Sequence, residues 1–278
     1  MKSIDDSVVL ITGSTDGIGK RVAHDLAIKG TEVLIHGRSP DKGAYVTDEI
    51  IQSTGNERLQ YFNADFSSLN NVRQLAHDLE GINIDILINN AGIGAGPPGS
   101  GREVSREGYE LRMAINYLAP FLLTHLMIPN LQGSSSRVIN VASLGQRYVD
   151  LNDLMMIHNY DGWDAYGQSK LALIMFTIDM AARLNDTSIT INAVHPGSLL
   201  NTNMVKEIGT PPQGDVQEGA DSIMFLATSP DLEGITGRFF DHTHETEAYN
   251  QAYDSVIREE LYHKSLELTG IRELIIQV

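Results

Sequence analysis

The run Ser7–Gly19, with the sequence SVVLITGSTDGIG, decides the fold of this chain. Its beginning, SVVLIT, is rich in β-branched and apolar side chains, which is typical of a buried strand, and the residues after the glycines recur at helical spacing. A glycine turn in that position lets backbone N–H groups approach phosphate oxygens, and the following helix N-terminus adds a partial positive charge. We therefore expect a phosphate-binding loop, the alternative being a glycine turn without a ligand. The predicted loop residues are Gly13, Ser14, Thr15, Asp16, Gly17, Ile18 and Gly19.

Strands and helices alternate along the rest of the chain. Further apolar runs predict strands at Thr31–Gly37, Arg58–Asn63, Ile84–Asn89, Ser136–Ala142, Ser188–Val194 and Ile235–Phe240. Continuous apolar runs are typical of strands that are buried on both faces of a parallel sheet. The sequence therefore predicts one α/β domain over residues 1–278, a Rossmann-type, doubly wound, seven-stranded and mostly parallel sheet with helices on both faces. Residues from about 241 to 278 form a predicted helical tail.

Composition excludes several classes of protein. The chain has 278 residues, with 20 Lys and Arg against 36 Asp and Glu, which gives a net charge of −16 and argues against binding to nucleic acid or anionic membranes. It has no cysteine, which excludes disulfides and a thiol nucleophile. We find neither an apolar run long enough to span a bilayer nor a signal peptide, and therefore expect a cytoplasmic protein.

Three irregular segments follow predicted strands: Ile93–Gly101, Leu144–Asp164 and Leu199–Asp215. In open α/β sheets, ligands bind beyond the carboxyl ends of the strands, so these segments are candidate substrate loops, the alternative being ordinary surface loops. Their apolar residues predict a partly apolar pocket. These residues are Leu144, Tyr148, Met155, Met156, Trp163, Leu199, Leu200, Met204 and Val205.

A tyrosine, a lysine and a serine could perform acid–base chemistry. Tyr166 and Lys170 are four residues apart and share one face of a predicted helix. A free phenol has a pKa of about 10, and a nearby ammonium group favours the phenolate. Ser143, at the end of a predicted strand, could donate a hydrogen bond to a carbonyl oxygen. The alternative for Tyr166 and Lys170 is an ordinary pair on a helix surface.

Motifs in a fixed order resemble the short-chain dehydrogenase/reductase family. They are the Thr-Gly-x-x-x-Gly-x-Gly spacing of Thr12–Gly19, then Asn89–Gly92, Asn116, Ser143, Tyr166–Lys170 and His195–Gly197. Ser143 and Tyr166 lie 23 positions apart, which is longer than the family's usual spacing. This spacing, the run Tyr166–Phe176 and the tail Gln251–Gly270 resemble the branch of retinol dehydrogenases and WW-domain oxidoreductases.

The resemblance implies an NAD(P)(H)-dependent oxidoreductase that transfers a hydride between the nicotinamide and an alcohol/carbonyl substrate. It implies that Tyr166 exchanges the hydroxyl proton, Ser143 orients the substrate oxygen and Lys170 lowers the pKa of the tyrosine. Asn116, in an apolar helix, can leave the backbone ladder and hold a water, and the resemblance makes that water part of a proton relay through Lys170 and the ribose hydroxyls. The alternative for Asn116 is a satisfied amide in a helix interior.

The resemblance also assigns cofactor contacts outside the glycine loop. Asp65, with Phe66 beside it, resembles an adenine-contacting acid, although Asp65 could equally cap the next helix. Asn90, Ala91 and Gly92 would line the cofactor ribose, the alternative being a plain turn. Tyr166, Lys170, Pro196 and Gly197 complete the predicted contacts. Thr202 lies one residue later than the family pattern places a threonine that contacts the nicotinamide.

The end of the second predicted strand favours NADP(H) over NAD(H). An NAD site of this kind carries an acid there, and this chain has Gly37 instead. Gly37 leaves room for a 2′-phosphate, Arg38 can donate to it bidentately, and Ser39 adds a hydroxyl. Asp16 argues the other way, since relatives that use NADP often carry a basic residue at that position.

The sequence also leaves alternative functions open. A nucleotide-binding sensor or scaffold without turnover is the second hypothesis, and a sugar-nucleotide epimerase is a third. We interpret His242 and His244 as part of a solvated loop and predict no metal site, since no further ligands can be identified. The apolar helix after Tyr166 must be buried on more than one side: one side can meet the sheet, and the other needs a helix from the tail or from another subunit. Family resemblance favours a homodimer through this helix and through Gln217–Thr228.

Overall fold

Eight strands form one sheet in the computed structural model, which describes residues 2–131 and 135–272. The strands are β1 (Val8–Ile11), β2 (Glu32–Gly37), β3 (Leu59–Asn63), β4 (Ile86–Asn89), β5 (Arg137–Val141), β6 (Thr190–His195), β7 (Phe239–Asp241) and β8 (His244–Thr246). Their spatial order is β3-β2-β1-β4-β5-β6-β7-β8. The first seven strands run parallel, and β8 pairs antiparallel with β7. The predicted Rossmann-type architecture is confirmed.

The prediction of seven strands misses β8. His242 adopts a left-handed backbone conformation (φ 55°) in a tight turn after β7, and the chain returns so that Phe239 pairs with Thr246. His244 therefore lies in an edge strand rather than in a solvated loop. The error has a physical cause: β8 has the sequence His-Glu-Thr and lies at the edge of the sheet, so it carries no apolar alternation.

Helices cover both faces of the sheet. They are α1 (Gly17–Ile28), α2 (Pro40–Thr54), α3 (Leu69–Asp78), α4 (Ala119–Met127), α5 (Gly162–Arg183), α6 (Asn203–Glu207), α7 (Val216–Thr228) and α8 (Ser255–Thr269). One apolar cluster lies between the sheet and α3, α4, α5 and α8, and a second lies between the sheet and α1, α2 and α7. Within the described residues, no helix has both the length and the apolar composition needed to cross a bilayer.

The sheet positions a ligand site where its strand order reverses. β1 lies between β2 and β4, so the connections that leave β1 and β4 pass to opposite faces. Their carboxyl ends are joined by a hydrogen bond of 2.9 Å from the Thr12 N–H to the Ile88 carbonyl. This crevice is the usual ligand site of a doubly wound sheet.

The C-terminal tail packs on α5. The Phe121 ring lies 5.0 Å from Phe176 of α5 and 5.5 Å from Tyr262 of α8, between ring centroids. The Tyr262 hydroxyl donates to His125 Nε2 over 3.1 Å, since His125 Nδ1 faces a carbonyl and carries the ring proton. The tail thus packs against α5 within the chain. It begins with the strand β8 rather than with a helix. Residues 273–278 of the predicted tail lie outside the described part. The homodimer stays a prediction.

Candidate active site

The glycine loop is held tightly against the end of β4. Gly13 has a φ of 65°, which side chains rarely adopt, and a Cβ there would lie 2.8 Å from the Cα of Ala91. Asp16 is the N-cap of α1 and accepts a hydrogen bond of 2.7 Å from the Gly17 N–H. The loop therefore meets the N-terminus of α1, as the sequence predicts, beside the crevice between β1 and β4.

Asn90 and Ala91 form part of this loop's support. The Asn90 side chain donates to the carbonyls of Thr12 (2.9 Å) and Gly13 (3.1 Å). The Thr12 hydroxyl accepts from the N–H groups of both Asn90 and Ala91 at 3.0 Å. The Asn90 amide is thus occupied by the loop, and Gly92 is the next residue that could face a ribose. Thr12 begins the glycine motif, but the sequence assigned it no role in holding the loop.

His36, which the sequence reasoning also missed, connects three strand ends. Its Nδ1 accepts from the Gly13 N–H at 3.1 Å, and its Nε2 donates to the Ala64 carbonyl at 3.1 Å. The ring is buried and stacked on Phe66, with centroids 4.4 Å apart, so Phe66 presents its backbone rather than its ring to a cofactor. Asp65 accepts from the Ser67 N–H at 3.0 Å, which makes it a local turn residue and not the N-cap, since Ser68 is the N-cap of α3.

The end of β2 carries the residues that would distinguish NADP from NAD. A Cβ at Gly37 would lie 2.6 Å from Thr15 Cγ2, so the space beside Gly37 that we expected for a phosphate is filled by the Thr15 side chain. Arg38 is exposed, and Ser39 is the N-cap of α2. Lys42 forms an ion pair of 2.6 Å with Asp16. The acid that argued against NADP is therefore neutralised by a neighbouring lysine.

Tyr166 and Ser143 lie together near the carboxyl end of β5. Burial raises the pKa of the Tyr166 phenol above its ordinary value, and a hydrogen bond with the Ser143 side chain acts in the opposite direction. The Ser143 hydroxyl also accepts from the Gly145 N–H at 3.0 Å. The Trp163 ring lies edge-on to the Tyr166 ring, with centroids 6.4 Å apart, and is half exposed. The phenol and the hydroxyl are thus placed to meet one substrate oxygen.

Lys170 is buried behind the tyrosine. Its Nζ lies 5.8 Å from the centroid of the Tyr166 ring and donates to the Val141 carbonyl at 2.8 Å. Burial lowers the pKa of Lys170 to about 8. Burial dominates at Tyr166, so the net shift of its pKa is upward, and the lowering of this pKa by Lys170 stays a prediction.

Asn116 lies in a π-helical turn, Met113–Leu118, directly before α4. The turn departs from the α-helical backbone ladder. The Asn116 side chain is satisfied: Oδ1 accepts from the Ile93 N–H at 2.8 Å, and Nδ2 donates to the Ile93 carbonyl and to Ser169 Oγ at 3.0 Å each. Ser169, which was not predicted, donates in turn to the Tyr166 carbonyl at 2.7 Å. Asn116 is thereby connected to the helix that carries Tyr166.

The segment after β6 covers the cleft. Pro196 accepts a hydrogen bond of 3.2 Å from Ser222 of α7. A Cβ at Gly197 would lie 3.0 Å from the Leu200 side chain. Leu200 is buried next to Gly219, so it belongs to the interior and not to the predicted pocket. Met155 is partly buried, and its sulfur accepts a 3.4 Å hydrogen bond from the Glu110 N–H.

The short helix α6 lies close to the glycine loop. The Asn203 side chain donates to Asp16 at 2.6 Å, and the Thr202 methyl group lies 3.4 Å from where a Gly17 Cβ would be. Thr202 also caps α6. Thr202 therefore lies beside Gly17 of the glycine loop.

These residues fit a nicotinamide dinucleotide. The Gly13 turn packs against Ala91 and places the glycine loop and the N-terminus of α1 at one crevice, where a helix N-terminus favours a pyrophosphate. Gly92 lies between Asn116 and Lys170: a Cβ there would be 3.2 Å from Asn116 Oδ1 and 3.6 Å from Lys170 Nζ. A ribose at Gly92 would therefore face both polar side chains.

Known proteins resemble this chain along most of its length. A family model described as short chain dehydrogenase matches residues 7–213. Polyprenol dehydrogenase of Homo sapiens is 32% identical over 97% of this chain and 87% of that protein. Retinol dehydrogenase 13 of Mus musculus is 31% identical over 97% of this chain and 85% of that protein.

Solved structures share the fold. An uncharacterised protein from Mycobacterium paratuberculosis superposes with a TM-score of 0.80 at 28% identity, covering 99% of this chain and 97% of that chain. A short chain dehydrogenase from Shigella flexneri, solved in complex with NADP, gives a TM-score of 0.66 at 27% identity, over 85% of this chain and 97% of that chain.

Proposed function

We propose that this chain, which belongs to the retinol dehydrogenase branch of the short-chain dehydrogenase family, interconverts an alcohol and a carbonyl compound with Tyr166 as the acid–base catalyst. The observation that carries the proposal is the placement of Tyr166 between the Ser143 hydroxyl and the buried Lys170. Family membership supports an NAD(P)-dependent oxidoreductase. The assignment to Tyr166 is our inference from the site.

A bound nicotinamide dinucleotide supplies the hydride acceptor or donor of this reaction. The glycine loop and the N-terminus of α1 would hold its pyrophosphate, and Gly92, Pro196 and Gly197 would border its nicotinamide half. The remaining chemistry belongs to the side chains of the protein.

Proton transfer occurs at the Tyr166 hydroxyl. In the direction of reduction, the phenol gives its proton to the carbonyl oxygen, and Ser143 donates a hydrogen bond to the same oxygen. In the direction of oxidation, the phenolate accepts the alcohol proton. Because burial raises the pKa of Tyr166, the phenolate needs a nearby positive charge, and Lys170 carries that charge below a pH of about 8.

We propose NADP(H) as the preferred cofactor. Arg38 and the Thr15 hydroxyl flank Gly37, and Lys42 stands on the next helix. Arg38, at the end of β2, offers a bidentate donor to a 2′-phosphate, and the ion pair with Lys42 compensates the charge of Asp16.

Substrate screening tests the proposal. Purified protein is incubated with NADPH or NADH and a panel of carbonyl compounds, and with the oxidised cofactors and the matching alcohols, while reduced-cofactor absorbance is followed. The panel includes retinol and a polyprenol, because relatives carry those names. Half-exposed apolar side chains near the site, Leu144 and Trp163 among them, favour a partly apolar substrate. Absence of turnover with every pair, despite cofactor binding, would favour the sensor hypothesis instead.

A further inference from the structure

The loop Ile93–Ala95 is held by two side chains from one helical turn. Asn116 binds both the N–H and the carbonyl of Ile93. Arg112, four residues earlier, donates from Nε to the Gly94 carbonyl at 3.0 Å and from Nη2 to the Ala95 carbonyl at 2.9 Å. Residues four apart lie on one helix face, so the two side chains act on consecutive peptide groups of one loop.

Arg112 is fully buried, with an exposed fraction of 1%. Its Nη1 lies 3.3 Å from Glu110 Oε1, and the Tyr160 hydroxyl donates to the same oxygen at 3.3 Å. Glu103 Oε2, which is exposed, lies 3.5 Å from Nη2. A buried ion pair of this kind is weak evidence for stability, because the desolvation of both charges offsets their attraction. What the arrangement does provide is a guanidinium group with a fixed orientation.

The loop forms a wall between the catalytic helix and the segment that covers the cleft. A Cβ at Gly162, the first residue of α5, would overlap the Ala95 carbonyl oxygen. On the other side, a Cβ at Gly94 would lie 2.9 Å from Met204 Cγ of α6. The position of this loop therefore sets the width of the space between α6 and the first turns of α5, where Tyr166 lies.

We propose that Arg112 is a positioning residue that fixes the Ile93–Ala95 loop as one wall of the substrate site. This inference rests on the proposed function of the same site. The planar guanidinium directs two donors at a fixed angle to two successive carbonyls, which a single lysine ammonium cannot reproduce. Arg112 touches neither Tyr166 nor the glycine loop in the contacts described above. Its effect should therefore fall on substrate binding and turnover rather than on cofactor affinity.

The test compares Arg112→Lys with Arg137→Lys. Arg137 is a matched control: it is also buried, and it donates to two carbonyls, those of Leu226 (2.9 Å) and Ser229 (2.8 Å), at the far end of β5. We expect Arg112→Lys to lower kcat/KM for the carbonyl substrate by about tenfold or more, because the loss of one charge-assisted hydrogen bond corresponds to about a tenfold change. The Kd for NADPH should change by less than about twofold, because Arg112 does not contact the glycine loop. Arg137→Lys should lower Tm and leave both kinetic quantities near wild type.

Chemical rescue and hydrogen exchange sharpen the test. Guanidinium ion at millimolar concentration should partly restore the activity of Arg112→Ala and leave wild type unchanged. Amide exchange in residues 93–101 should accelerate in Arg112→Lys and not in Arg137→Lys. Should Arg112→Lys fail to fold, Tyr160→Phe, which removes only the hydroxyl that holds Glu110, should lower kcat/KM in the same direction by about threefold.

The outcomes separate the two proposals. The positioning role would be overturned if Arg112→Lys had wild-type kinetics and wild-type amide exchange in residues 93–101. If only Tyr160→Phe folds, an unchanged kcat/KM in that variant would overturn it as well. A wild-type protein that turns over no substrate would overturn the proposed function. In that case the exchange rates of residues 93–101 would still decide whether Arg112 holds the loop.

Discussion

The Nδ1 atom of His36 accepts a hydrogen bond of 3.1 Å from the backbone N–H of Gly13. Since Nε2 faces the Ala64 carbonyl, it carries the ring proton, and Nδ1 must be the acceptor. Burial lowers the pKa of His36 to about 4, so the ring is neutral near pH 7 and keeps this tautomer. One imidazole thus fixes the glycine loop after β1 to the end of β3.

Replacement of His36 by phenylalanine should weaken cofactor binding. The variant keeps an aromatic ring against Phe66 but leaves the Gly13 N–H without its acceptor, which costs about 1–3 kcal/mol and corresponds to an increase in the Kd for NADPH of about fivefold or more. Fluorescence titration measures this Kd. His125→Phe is the control, because His125 is also a buried imidazole but lies among Phe121, Phe176 and Tyr262, where α4, α5 and α8 meet. Equal NADPH affinity in both variants would argue against the role of His36.

Stability should fall as the pH drops below about 6.5. Burial lowers the pKa values of His36 and His125 from 6.5 to about 4, so the unfolded chain binds more protons than the folded chain between these limits. Their contribution is complete above pH 6.5 and is lost as the pH falls toward 4, with a slope of up to about 1.4 kcal/mol per pH unit for each group. Urea unfolding at several pH values from 5 to 6.5 measures the slope. His125→Phe should reduce it, and an unchanged slope would contradict this assignment.

Substitution of Arg38 by alanine should raise the KM for NADPH and leave that for NADH unchanged. Loss of a charge-assisted contact to a phosphate costs about 1.5–3 kcal/mol, which corresponds to a rise in the KM for NADPH of roughly 10- to 160-fold. Arg58→Ala is the control, since Arg58 is a half-exposed arginine that pairs with Glu32 at the other end of the sheet. Steady-state kinetics with each cofactor and one substrate measures both KM values. A kcat/KM ratio for wild type that favours NADH would refute the preference itself.

The sequence predicts the parallel strands well because burial on both faces forces continuous apolar runs, as in Val8–Ile11. It does not predict β8, whose three residues are polar and pair only along one edge. The motif residues Ser143, Tyr166 and Lys170 do converge. The same reasoning placed Leu200 in the substrate pocket, because an apolar side chain in a loop can point inward or outward and only the contact with Gly219 settles which.

Supporting residues were harder to predict than the motif residues. His36 lies in an apolar strand, where a lone histidine has no spacing that marks its partners. Arg112 lies in a run of apolar residues and binds carbonyls 17 and 18 positions earlier. Such contacts depend on how the loop after β4 folds back on the helix, which no local pattern encodes. The pKa of Tyr166 likewise required the structure, because charge proximity lowers it and burial raises it, and the sequence gives no measure of burial.

The rate of Tyr166→Phe tests the central claim most directly. With the substrate that wild type turns over fastest, kcat should fall by about a thousandfold or more, because the hydroxyl that transfers the proton is lost. The Kd for NADPH should stay within about twofold, and the ionisation in the pH–rate profile that belongs to the tyrosine should disappear. A Tyr166→Phe protein that retains a tenth of the wild-type kcat would contradict the assignment of Tyr166 as the acid–base catalyst.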